Sequence, residues 1–201
     1  MRLPADQRRQ QLLDVAREVF AERGFHATAM DDIAEAAGVT KPVLYQHFPS
    51  KRSLYIELLT DTGDQLLHAL TTATQHVETG RARVESGFLA YFRFVAEQRA
   101  GFRLLFSASI GTDPEFARVV DNVVQQAAEI ISALIEIPAS EAHRRVLANA
   151  LVGMAESVGR HTSDDPESAS VADAEELAHW IAELAWFGLR GVRAEEPSQL
   201  S

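Results

Sequence analysis

MDDIAEAAGVTKPVLYQHFPSK, residues 30–51, is the stretch that decides the fold. Met30, Ile33, Ala34 and Ala37 recur at the spacing of one helix face, and Leu44 and Phe48 do so again beyond Gly38-Val39-Thr40. Glycine accepts the positive φ of a tight turn, and Val39 is placed to plug the angle between the helices it joins. Two short helices at this spacing make a helix-turn-helix. With Leu44 and Phe48 facing inward, Pro42, Val43, Gln46 and His47 face outward. An outward face with Val, Gln, Tyr and His but no acid suits a DNA major groove. Lys41 and Gln46 can hydrogen-bond base edges, and Val43 or Pro42 can touch thymine methyl groups. Thr40 stands where an N-cap belongs, and its hydroxyl and the free amides beside it can hold a phosphate. Pro42 in the first turn removes no intrahelical hydrogen bond. Tyr45, His47 and Lys51 then flank the groove as phosphate contacts, positioning the protein without reading sequence.

Outward from this stretch, period-3.6 patterns recur from end to end and no period-2 alternation is sustained, so the expected class is all-α. The first helix is expected over 7–23, with Leu12, Leu13, Ala16, Val19 and Phe20 on one face and Gly24 at its end. The second is expected from about Met30 to Ala37, with Thr28 and Asp31 at capping spacing, and the third from Thr40. A long helix is expected over 51–77, then further helices near 82–99, 101–108, 114–136, 140–161 and 171–191. Caps are read at Thr112 with Glu115, Ser140, and Ser170 with Asp173. The polar stretch from His161 to Ser170 reads as a loop.

The 201 residues allow one or two domains, here taken as 1–52 for DNA binding and 53–201 for the remainder. Net charge is -10, which argues against a polyanionic partner until it is divided. Residues 1–55 carry eight Lys or Arg against seven acids, a net of +1, leaving -11 for the rest. That asymmetry suits a nucleic-acid module on an acidic partner domain. The absence of cysteine excludes disulfides, thiol nucleophiles and thiolate metal sites. The N-terminal residues lack the apolar core of a signal peptide, and no run is apolar enough to span a bilayer. A cytoplasmic protein without membrane contact is expected.

Gly24-Phe25, Thr28, Ile33-Ala34, Ala37-Gly38-Val39-Thr40, Leu44-Tyr45, His47-Phe48, Ser50-Lys51 and Leu54 together resemble the DNA-binding domain of the TetR family of regulators. Two positions depart from the family pattern: Ala29 stands where Ser or Thr often caps the second helix and touches phosphate, and Pro42 where Gly is commoner. The resemblance passes the phosphate role of Ala29's position to Thr28. It also implies a C-terminal ligand-binding and dimerisation domain, whose last two long helices pair between subunits, and a symmetric dimer on a roughly palindromic operator. The segments RLPADQRRQQLL, TKPVLYQHFPSK, GFRLLF, LVGM and AWFGL further resemble fatty-acid-synthesis regulators of that family, which implies a long-chain acyl-CoA effector.

The residues of the C-terminal region independently allow this. In the last helix Leu177, Trp180, Ile181, Leu184, Phe187 and Gly188 form one apolar stripe, and Ala178, Ala182, Ala185 and Leu189 a second. A helix with two apolar faces has two apolar neighbours, and one can be another subunit. Phe88, Tyr91, Phe92, Phe102, Phe106 and Phe116, with Met154 and Trp180, are the candidates to line an apolar effector cavity, as against ordinary core. Arg81, Arg83, Arg93, Arg99 and Arg103 face only Glu85 and Glu97 nearby, and can hold ligand phosphates or be solvated surface. Glu156, His161 with Asp164 and Asp165, and His179 with Glu183 offer acid-base groups but no recognisable catalytic or metal set. No cofactor is expected. The alternative is a helical lipid carrier or enzyme with a vestigial helix-turn-helix.

Overall fold

The structure is a computed structural model that describes residues 4–107, 113–164 and 171–192. Among these residues there are nine helices and no strand: α1 (Ala5–Ala27), α2 (Met30–Ala36), α3 (Lys41–His47), α4 (Lys51–Thr74), α5 (Gly80–Glu97), α6 (Arg99–Leu105), α7 (Pro114–Leu134), α8 (Glu141–Asp164) and α9 (Val171–Arg190). No helix among the described residues is long and apolar enough to cross a membrane. Gly24 and Gly38 take the positive φ expected of them, 78° and 63°. At Gly24 the backbone leaves the helical region, and α1 then resumes as far as Ala27 instead of stopping. The caps read at Thr112 and Ser170 lie outside the described residues, as does Asp165. Ser140 does cap α8, its hydroxyl accepting the His143 N–H at 3.3 Å. The stretch read as a loop from His161 is helical as far as Asp164.

The chain forms two compact units, and neither is continuous in sequence. The first comprises residues 1–64 and 98–121, the second residues 65–97 and 122–201. A cut after Arg52 therefore falls inside α4, whose N-terminal half belongs to the first unit. In that unit α1 packs on α2 and α6, and α2 on α3. Leu12, Ala16, Phe20, Ile33, Leu44, Phe48, Leu54 and Leu58 are almost fully buried together, each of the large side chains worth about 1.5–3 kcal/mol by burial. Phe20, Phe25, Tyr55 and Phe116 form one aromatic cluster at centroid distances of 4.8 to 6.1 Å, edge to face for Phe20 on Tyr55 and Phe25 on Phe116. Gly101 of α6 makes the closest approach: a Cβ there would stand 2.8 Å from the Thr62 methyl group and 3.4 Å from Arg17 Cδ.

In the second unit α5 packs on α8 and α9, burying Phe88, Tyr91, Phe92, Phe94 and Val95. The small face of α9, Ala174, Ala178, Ala182, Ala185 and Leu189, is also buried. Gly80 lies against the Trp186 ring, 3.4 Å from where its Cβ would be.

Candidate nucleic-acid interface

The recognition helix is seven residues long, too short to be stable by itself, and the rest of the first unit holds it. Leu44 and Phe48 anchor its inner face, at 0% and 1% exposure. Arg9 of α1 closes its C-terminal end: the guanidinium donates to the His47 carbonyl at 2.6 Å, pairs with Glu57 and lies 4.4 Å over the Phe48 ring. At the other end Thr40 occupies the N-cap position, but its hydroxyl makes no capping hydrogen bond. What remains outward is Thr40, Lys41, Pro42, Tyr45 and Gln46, all exposed, with Val43 and His47 half-buried at the edges. Of the four residues that the helical spacing turned outward, Pro42 and Gln46 are exposed, and Val43 and His47 only half so.

Three sequence expectations change. Thr28 is 2% exposed and its hydroxyl donates back to the Gly24 carbonyl at 2.8 Å, so it neither caps α2 nor faces a phosphate. The cap position is Ala29, whose backbone N–H donates to Asp32 at 2.7 Å, one residue later in register than the Thr28 and Asp31 pairing. Lys51 turns inward: its ammonium donates to the carbonyls of Phe25 and Thr28, both at 2.8 Å, and sits 4.5 Å over the Phe25 ring. It closes the C-terminal end of α1, where free carbonyls favour a cation. Lys41 is outward as expected, yet its Nζ lies 2.9 Å from Asp31, which through hydrogen bonding and charge raises the Lys41 pKa.

Two further basic residues of this unit are tied down as well. Arg17, nearly buried, bridges Asp14 and Asp61 at 3.1 and 2.8 Å. Arg52 takes Asp113 in a two-point contact at 2.7 and 2.8 Å, adds Glu115 at 2.6 Å and covers the Phe116 ring. The Arg52 pKa is pushed up, and the hydrogen bonds from Arg52 hold the Asp113 carboxyl down at about 2.

The candidate ligand residues do not form one set. Phe102, Phe106 and Phe116 belong to the first unit. Phe116 is core there, stacked on Phe25 and Tyr55, and Phe102 is fully buried beside Phe106. Trp180 is 53% exposed on α9, not in an interior. Phe88, Tyr91, Phe92 and Met154 remain in the second unit, the three rings buried and Met154 half-buried. Burial pushes the Tyr91 hydroxyl pKa up; the negative charge of Glu156 adds to this and Arg160 opposes it. A groove of about 380 Å³ at the junction of α7 and α8 is lined by Glu129, Glu141, Arg144 and Arg145 among others, and by none of the candidates. The arginines form no joint cluster: Arg81 pairs with Glu85, Arg83 with Glu136 and Arg93 with Glu175, while Arg99 and Arg103 lie in the first unit. His179 and Glu183 stand 3.9 Å apart, and no group of three metal-ligating side chains occurs among the described residues.

Residues 12–58 match the family model of bacterial regulatory proteins, tetR family, and residues 80–188 match the tetracyclin repressor-like C-terminal domain. This chain belongs to the TetR family. The transcriptional activator FasR of Mycolicibacterium smegmatis is 37% identical over 195 residues, 95% of this chain and 87% of its own length. The transcriptional repressor KstR2 of Mycobacterium tuberculosis is 31% identical over 121 residues, 59% of this chain and 60% of its own. A solved TetR-like regulator from Rhodococcus sp. RHA1 superposes with a TM-score of 0.77 at 30% identity, covering 95% of this chain and all of its own. As a TetR-family protein the chain is a DNA-binding transcriptional regulator, and the enzyme and carrier alternatives lapse.

For a TetR-family interface what sequence reasoning missed is the supporting role of Arg9 and Lys51. Arg9 reaches partners 38 and 48 positions away, and Lys51 partners 23 and 26 away. No local pattern marks such pairs. Asp31 and Lys41 are only ten positions apart, across a turn that Gly38 marks in the sequence.

Proposed function

We propose that this regulator binds a roughly palindromic operator as a symmetric dimer in the cytoplasm and changes its operator affinity when the second unit takes up a small apolar effector, such as a long-chain acyl-CoA. The observation that carries the DNA half is the division of α3, with Leu44 and Phe48 buried and Lys41, Pro42, Tyr45 and Gln46 exposed on its other side. Lys41 and Gln46 are assigned to base edges, Pro42 and Val43 to thymine methyl groups, and Thr40, Tyr45 and His47 to phosphates. The dimer is supported by Trp180, Leu184 and Phe187 of α9, which are large, apolar and more than half exposed. Two recognition helices would then enter major grooves about one turn apart, ~34 to 36 Å. The effector half is supported by the buried aromatic rings of α5 and half-buried Met154 of α8 in the same unit, and by similarity to FasR across almost the whole chain.

The test is selection of duplexes from a random pool, followed by titration of the selected duplex with and without a C16 to C20 acyl-CoA. The expected outcome is enrichment of an inverted repeat, with an effector-induced change in affinity of about 5- to 150-fold. Enrichment without symmetry would remove the dimer, and tight acyl-CoA binding with unchanged DNA affinity would remove that effector.

A further inference from the structure

Lys41 opens α3 and Asp31 lies in the first turn of α2, and the turn at Gly38 sets Nζ 2.9 Å from one carboxylate oxygen and 3.1 Å from the other. Both side chains stand more than half exposed, 54% and 65%, so the pair supports no core and water weakens it. In this it differs from Arg9, Arg17 and Lys51, which are half-buried or buried and whose partners hold helices together. Lys41 is a cation on the outward face of α3 held by a surface carboxylate that another acceptor can replace. The same carboxylate puts a negative charge beside a surface assigned to a polyanion, which weakens every DNA complex.

We propose that Asp31 is a specificity-determining residue of the DNA interface: it competes with a base-edge acceptor for the Lys41 ammonium, and so lowers affinity most for the duplex that offers that acceptor. This rests on the assignment of α3 to the major groove. Discrimination is a difference between two affinities, and a cost that falls mainly on the right partner narrows it. A guanine presents two acceptors, N7 and O6, to a lysine in the major groove, and Lys41 must leave Asp31 to take them. At a mismatched step Lys41 keeps its pair, and Asp31 costs only its repulsion of the phosphates.

The experiment compares wild type, Asp31→Asn, Lys41→Ala and the double variant on the duplex selected by wild type and on a scrambled duplex, over a range of salt. Asp31→Asn is expected to tighten the selected complex about 2- to 5-fold per subunit, in the range of an exposed ion pair, and the scrambled complex by less. The affinity ratio between the two duplexes therefore rises. In the Lys41→Ala background the same substitution leaves the ratio unchanged. Asp31→Ser, which keeps a residue suited to a helix start, reproduces the effect and guards against a folding artefact of the amide. Equal tightening on both duplexes overturns the inference, because Asp31 then acts only as a diffuse charge. So does a ratio change that persists without Lys41. If wild type selects no duplex, the assignment of α3 fails and this inference falls with it. Selection by wild type with an unresponsive Asp31 overturns this inference alone.

Discussion

Helices α3 and α9 each present a face that its own unit leaves open, and the two are opposite in chemistry. On α3 the open side is Thr40, Lys41, Pro42, Tyr45 and Gln46; on α9 it is Trp180, Leu184 and Phe187, exposed by 53%, 62% and 63%. A polar face is content in water, so its exposure alone says nothing, and what marks α3 is the kind of groups it gathers. An apolar face is different. Covering each large side chain fully is worth about 1.5–3 kcal/mol, so the exposure of α9 by itself argues for a neighbour. One face announces what it would touch, and the other that it must be touched.

The comparison breaks most visibly at α9. Leu184→Glu sets a charge in the centre of the apolar face and is expected to give monomers in sedimentation velocity at micromolar concentration. Operator affinity should fall by ~100-fold or more, since two linked half-site contacts become one. A variant that stays dimeric and binds normally would show that α9 is covered by something else or by nothing.

Within the first unit the contrast is between a residue on the open face and one turned inward. Gln46→Ala is expected to cost about 1 to 3 kcal/mol on the selected duplex and less on a scrambled one, with an unchanged melting curve. Lys51→Ala should do the reverse, lowering stability by about 1 to 2 kcal/mol through the two carbonyls it abandons. Should Lys51→Ala instead flatten the salt dependence of DNA binding at constant stability, its ammonium leaves α1 for a phosphate in the complex.

The smallest effect belongs to the surface clamp between Arg52 and Asp113. With the Asp113 pKa held at about 2 in the folded state, below its unfolded value near ~3.9, the pairing stabilises fully above about pH 4. That contribution disappears as pH falls through about 2. Arg52→Gln should therefore melt slightly below wild type at neutral pH, and the two melting curves should converge towards pH 2. An offset that persists there would point to lost packing on Phe116 instead of lost charge.

Much of the first unit was legible because its signals are local. Leu12, Leu13, Ala16, Val19 and Phe20 declare the inner face of α1 by spacing alone, and Gly38 declares the turn by the backbone it permits. Thr28 was misread because a hydroxyl at a helix start has two outlets, the new helix or the carbonyls of the old one, and the kink at Gly24 offers the second. The two stripes of α9 were also visible, though only burial tells which is covered. The aromatic run from Phe88 to Phe116 misled because nearness in sequence was taken for nearness in space. Between Glu97 and Arg99 the chain passes from one compact unit to the other, and the rings divide with it.

That division bears on biosynthesis. The first unit is closed by residues 98–121, which bring Gly101 to Thr62 and Phe116 to Phe25 and Tyr55. A nascent chain that has exposed only its first 64 residues lacks these partners, so the reading head cannot mature as it leaves the ribosome. It must wait for residues 65–121 to be made, a delay of several seconds at about 5 to 20 residues per second. During that interval the rings of Phe25 and Tyr55 are open to chaperones or to the wrong neighbours. A gene fragment encoding the N-terminal helices alone would carry the same unfinished surface permanently.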